Sequence, residues 1–89
     1  MIRKLAMTKD VDKFLAQLDA KQFRQIVRKI FALADNTTPP DSLKLEGSDY
    51  YRADQGEYRI VYFFEPETLY VVVVGKRNDD AVYAQLKRK

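Results

Sequence analysis

Residues 50–83 read YYRADQGEYRIVYFFEPETLYVVVVGKRNDDAVY, and this stretch decides the fold. A strand pattern from Tyr50 breaks at Gln55-Gly56, resumes through Glu57-YRIVYFF-Glu65, breaks again at Pro66-Glu67, and continues through Leu69-YVVVV-Gly75 into Lys76-Arg77. β-Branched and aromatic residues dominate the runs and turn formers separate them, so the stretch predicts a three-strand meander with two short hairpins. Alternation divides its middle strand by face. Tyr58, Ile60, Tyr62 and Phe64 point one way, and Arg59, Val61 and Phe63 the other. With Gln55-Gly56 as a two-residue turn, Ala53 falls opposite Tyr58 and Arg52 opposite Arg59. Tyr51, Ala53, Tyr58, Ile60 and Tyr62 then form the core face, leaving Tyr50, Arg52 and Arg59 on the other. Like charges directly opposite each other destabilise a sheet. Two accounts fit the pair: diagonal salt bridges to Asp54 and Glu57, each worth about 0–1 kcal/mol, or a ligand phosphate held by guanidinium groups.

Before the meander, Ile2 to Met7 reads as a strand. Thr8 offers an N-cap hydroxyl to a helix whose apolar face is Val11, Phe14, Leu15 and Leu18. Asp19-Ala-Lys-Gln22 has the form of a capping box and starts a second helix with Phe23, Ile26, Val27, Ile30, Phe31 and Ala34 on its apolar face. The short spacing predicts an antiparallel helical hairpin. Lys21, Arg24 and Arg28 line the outer face of the second helix, either as a solvated surface or as a basic stripe against RNA phosphates. Pro39-Pro40 ends the helical part and stiffens a connector, and Leu43 to Gly47 leads into the meander with Gly47 in a turn. Asn78-Asp79-Asp80 resembles the start of a short C-terminal helix, from Ala81 to about Lys87. The expected fold is α+β, in the order β-α-α-β-β-β-α. It has a mostly antiparallel four-stranded sheet, the helical hairpin on one face and the short C-terminal helix.

The chain has 89 residues, 46% hydrophobic and 33% charged, which suits one globular domain spanning 1–89. Cysteine and histidine are both absent. Thiolate chemistry is therefore excluded, along with the usual neutral-pH base and the commonest nitrogen ligand for metals. Acid–base work would fall to carboxylates, lysine, tyrosine or arginine. A net charge of +3 is mildly basic. Neither a signal-peptide pattern nor a membrane-length apolar run is present, and a cytoplasmic location is expected.

Lys44-Leu45-x-Gly47, Tyr51-Arg52, Glu57-Tyr58-Arg59-Ile60-Val61-Tyr62, the valine run, Gly75-Lys76-Arg77 and Val82-Tyr83 occur in order along the chain. Together they resemble the RelE/ParE superfamily, toxins of type II toxin–antitoxin systems, and most closely its RelE-type mRNA interferases. The resemblance implies a ribosome-dependent endoribonuclease, without metal or cofactor, that cleaves mRNA in the aminoacyl site of the 70S ribosome. A cognate antitoxin protein would neutralise it. The family's basic positions fall on Arg52, Arg59 and Arg77, and its catalytic-site tyrosine on Tyr83. Lys76, Lys44, Arg24 and Arg28 are the further RNA-binding candidates. RelE-type members carry a second basic residue two positions beyond the one at Arg52, where this chain has Asp54. Arginine stays charged and is a poor base, so Asp54, and after it Asp41 or Glu57, is the candidate proton acceptor. Two other readings remain: a ParE-type DNA gyrase inhibitor, and a non-catalytic RNA- or ribosome-binding module.

Overall fold

The structure is a computed structural model and describes residues 2–77. Strand β1 (Lys4–Met7) hands the chain directly to α1 (Lys9–Ala16) through Thr8. The Thr8 side chain accepts the Val11 N–H at 3.2 Å, capping the helix, while its hydroxyl donates to Val72 O at 3.3 Å. One threonine thus fixes both the start of α1 and its seat on the sheet. Asp19 accepts the Gln22 N–H at 2.8 Å and starts α2 (Ala20–Asp35). Such a cap contributes about 1 kcal/mol. The reciprocal half of the expected capping box is replaced: Gln22 Oε1 accepts the Tyr58 hydroxyl at 2.8 Å and ties the helix to the sheet.

After the prolines come β2 (Ser42–Lys44), β3 (Tyr51–Gln55), β4 (Tyr58–Phe64) and β5 (Thr68–Lys76). The sheet order is β1-β5-β4-β3-β2, antiparallel throughout except for the parallel β1–β5 pair. The α+β class and the meander are as expected. The sheet has five strands instead of four, because Ser42-Leu43-Lys44 pairs with Ala53-Arg52-Tyr51 at the edge. Three residues after a proline pair are too few to show an alternation. A turn from Leu45 to Ser48, with Gly47 at φ +75°, then brings the chain back to β3. The expected C-terminal helix lies outside the described residues. Among those described, no helix is long and apolar enough to cross a membrane.

Two corrections concern the sheet. The β3–β4 loop is Gly56-Glu57, with Gln55 opposite Tyr58, Asp54 opposite Arg59 and Arg52 opposite Val61. Gly56 has φ +59°, and no non-glycine residue described has positive φ. Positive φ at the first loop residue alone is the II′ pattern, which asks for glycine there. The turn is therefore placed one residue later than Gln55-Gly56, and Arg52 does not face Arg59. Each pairing moves by two positions on one strand, which preserves the face of every side chain. Ala53, Tyr58, Ile60 and Tyr62 are accordingly buried on the helix side, with Tyr51 packed against them.

The second correction is in the valine run. The β4–β5 register shifts between Val61 and Tyr62, which pair with Val73 and Val71, leaving Val72 as the extra residue of a bulge. Val71 and Val74 join the helix-side core, while Val72 and Val73 join a second cluster with Val61, flanked by Leu45, Tyr50 and Phe63. The face away from the helices carries a small apolar core of its own.

On the helix side, Val11 and Leu15 from α1 and Ile26, Ile30, Leu33 and Ala34 from α2 pack on the sheet. Phe23 and Phe31, expected on the buried face, are 42% and 54% exposed. The buried arc of α2 runs through Ile26, Ile30, Leu33 and Ala34; Phe31 lies off one flank of it, and Phe23 sits in the first turn of the helix.

Candidate anion-binding site

The arginines and Asp54 gather on the sheet face opposite the helices. Arg59 and Asp54 are direct cross-strand partners. Arg59 Nε donates to Asp54 Oδ1 at 2.8 Å and Arg59 Nη2 to Oδ2 at 3.2 Å, a two-pronged grip in the plane of the guanidinium. Arg52, two residues before Asp54 on the same strand, brings Nη1 to 3.8 Å from Oδ2. The side chains of Arg59, Arg52 and Asp54 are 15%, 26% and 30% exposed, so the cluster is half-sunk into the sheet surface.

Arg77 comes one residue after β5, and its backbone N–H donates to Glu57 O at 2.9 Å. Gly75 pairs with Arg59, so alternation puts Arg77 on the Arg59 side and Lys76 on the helix side. The charge of Arg77 reaches Asp54. The hydrogen bond from Arg59 holds the Asp54 carboxyl below its usual range, helped by the fields of Arg59, Arg52 and Arg77 and opposed by burial. One ionised carboxylate therefore sits among three guanidinium groups. Beside it on the same face runs an aromatic row: Phe63 stacks on Tyr70 at 4.5 Å between centroids, and Tyr50 meets Phe63 edge-on at 5.8 Å. Alternation placed Phe63 beside Arg59, but only the sheet pairing reveals the row across three strands.

The fold brings together Arg52, Asp54, Arg59 and Arg77 and leaves the other candidates apart. Lys76 pairs with Tyr58 and Lys44 with Tyr51, both on the helix side, and both are exposed. Arg24 and Arg28 are exposed on α2, across the sheet from the arginine cluster. Asp41 is bound to Lys29 of α2, whose hydrogen bond lowers its carboxyl from the usual value. Glu57 is an exposed loop residue beside Arg77. Tyr83 lies outside the described residues.

Guanidinium forks on an accessible sheet face are suited to gripping phosphate oxygens, and the aromatic row to flat apolar surfaces such as bases. A helix pair on one face of a mostly antiparallel sheet is a fold that this chain shares with solved toxins of toxin–antitoxin systems. The structure is similar to that of a mutant of the Escherichia coli toxin RelE in the free state, with a TM-score of 0.81 at 24% identity, over 99% of this chain and 98% of that one. It is similar to the archaeal RelE–RelB complex from Pyrococcus horikoshii, with 0.74 at 27% identity over 86% and 97%. A third likeness is to the RelBE2 toxin–antitoxin complex from Mycobacterium tuberculosis, with 0.72 at 20% identity over 86% and 100%. No curated relative matches the sequence. Residues 5–81 match the model of the ParE toxin of type II toxin–antitoxin systems, parDE, and the chain belongs to that family, within the RelE/ParE superfamily.

Proposed function

We propose that this toxin is a ribosome-dependent endoribonuclease that cleaves mRNA in the aminoacyl site and is neutralised by a cognate antitoxin. The observation that carries the reading is the convergence of Arg52, Arg59 and Arg77 on one accessible sheet face, next to an aromatic row. The ribose 2′-oxygen attacks the adjacent phosphorus, the bond from phosphorus to the 5′-oxygen breaks, and a 2′,3′-cyclic phosphate and a 5′-OH are left. The 2′-proton passes to solvent or a base, and the 5′-oxygen takes up a proton. Arg59, less exposed than Arg52 and Arg77, stabilises charge building on phosphorus. Arg52 supports the same phosphate. Arg77, at the rim, holds it and helps to neutralise the departing oxygen. Tyr83 would stack on the nucleotide, and Lys44, Lys76, Arg24 and Arg28 would meet ribosomal RNA on other sides. Several similar structures are complexes of RelE with RelB, which supports an antitoxin partner.

The ParE family match favours one competing reading, a gyrase inhibitor. Mapping mRNA 5′ ends after adding the protein to a translation extract separates the two. Cuts within ribosome-occupied codons that fall roughly 100- to 1000-fold in Arg59→Ala, the size of losing one preorganised charge-stabilising group, and also fall in Arg77→Ala, support the nuclease. Intact mRNA together with trapped gyrase–DNA complexes would replace it with the gyrase reading.

A further inference from the structure

Among the described residues, Asp54 is the anion bonded to Arg59 and nearest Arg52, and the geometry sets what it does there. A general base needs a lone pair directed at the substrate and a pKa near the working pH. Both Asp54 oxygens instead accept hydrogen bonds from Arg59, and Oδ2 also lies 3.8 Å from Arg52. The same fork would hold two oxygens of a phosphate in the same way, because a carboxylate and the edge of a phosphate present matching oxygen pairs to a guanidinium. We propose that Asp54 is an internal counter-ion occupying the phosphate position between Arg59 and Arg52, so that it keeps the fork in its anion-gripping pose and competes with RNA for it. Asp54 is thus a positioning residue. The inference rests on the reading that this face takes RNA phosphates.

Two features support the competition. The Asp54 side chain keeps 30% of its surface exposed, so the fork it occupies is not sealed inside the sheet. The carboxylate stays ionised at neutral pH, so a bound phosphate must displace it or sit against a like charge. Without Asp54, by contrast, Arg52 and Arg59 would lie as diagonal neighbours on one face and repel. The carboxylate therefore organises the site and also restrains it.

The test uses a 2′-O-methyl RNA oligonucleotide, which binds but cannot be cut. Asp54→Asn, checked for native circular dichroism, is expected to bind it roughly three- to tenfold more tightly at low salt, and to steepen the dependence of log K on log salt by about 0.7, the value for one more neutralised phosphate on a single strand. Asp54→Glu keeps the anion and should stay close to the unaltered protein. In an Arg59→Ala background the gain from Asp54→Asn should shrink to less than half, because the effect runs through that fork. Equal, weaker or undetectable binding by Asp54→Asn overturns the inference. So does a tenfold or greater fall in its single-turnover mRNA cleavage with oligonucleotide affinity unchanged, which would make Asp54 the base. Absence of any mRNA cleavage by the unaltered protein would instead sink the nuclease reading, and the oligonucleotide comparison would still decide the role of Asp54.

Discussion

Replacing Tyr62 by phenylalanine tests the joint between the connector and the sheet. Tyr62 is fully buried at the centre of β4, and its hydroxyl donates to Thr37 O at 2.6 Å, 25 residues away. Thr37 is itself buried. Phenylalanine keeps the ring and its packing, removes the donor, and leaves a buried carbonyl without that partner. The loss at neutral pH should be about 1–3 kcal/mol. A second consequence follows from ionisation. Burial pushes the Tyr62 hydroxyl from 10.0 up to about 12. The neutral form is therefore favoured by folding. The stabilisation is fully present below pH 10, where the unfolded tyrosine is also neutral, and is lost between pH 10 and about 12 as the unfolded chain ionises first. At about 1.36 kcal/mol per pH unit the difference across that window is on the order of 2–3 kcal/mol. Urea unfolding of both proteins at pH 7, 10 and 12 measures both effects. The advantage of the unaltered protein over Tyr62→Phe should shrink with alkali and approach zero near pH 12. Curves that stay parallel from pH 7 to 12 would refute the reasoning, since they would mean that the hydroxyl is equally solvated in the folded and unfolded states.

In the other apolar positions, Leu33→Ala should cost about 2–4 kcal/mol by cavity formation, since Leu33 is fully buried, while Phe31→Ala, at a residue 54% exposed, should stay within about 1 kcal/mol in the same denaturation assay. Gly56→Ala should lose about 1–2 kcal/mol. A Cβ at Gly56 meets nothing within 4 Å, so the whole cost is the positive φ. Gly56→Asn should recover part of it because asparagine tolerates that region, and equal losses for the two would point to a packing effect instead.

The fold was legible wherever a period was long enough to read. Val11, Leu15, Ile26 and Ile30 recur at helical spacing and are buried, and the alternation from Tyr58 to Phe64 sorted the core face correctly. Signals failed where the period was short or uniform. Ser42–Lys44 is a three-residue edge strand with nothing to alternate against. Val71–Val74 reads the same in every phase, so the bulge at Val72 that sends two valines to each face leaves no trace in composition. Phe23 and Phe31 fit the apolar arc of a helical wheel, but the width of the sheet contact, which no wheel contains, leaves them exposed.

The charged face shows why residues can be sorted onto one sheet face from sequence while their pairings cannot. Face depends on parity, and moving the β3–β4 turn from Gln55-Gly56 to Gly56-Glu57 changes each pairing by two, which parity does not register. Arg52, Asp54 and Arg59 therefore remain on one face under either turn. Their energetics do not remain the same. With Arg52 opposite Arg59 the strands would meet across a repulsion, relieved by diagonal carboxylates or by a ligand as counter-ion. With Asp54 opposite Arg59 the chain supplies the counter-ion itself, in a bidentate bond. The difference comes down to the backbone of Gly56, whose φ of +59° selects the turn. If this face takes RNA phosphates as proposed, a single glycine at a hairpin loop sets whether they meet a cationic face that is neutralised in part or fully charged. It follows that Gly56 substitutions which shift the turn should alter RNA affinity through Asp54, and that they should do nothing further once Asp54 is asparagine.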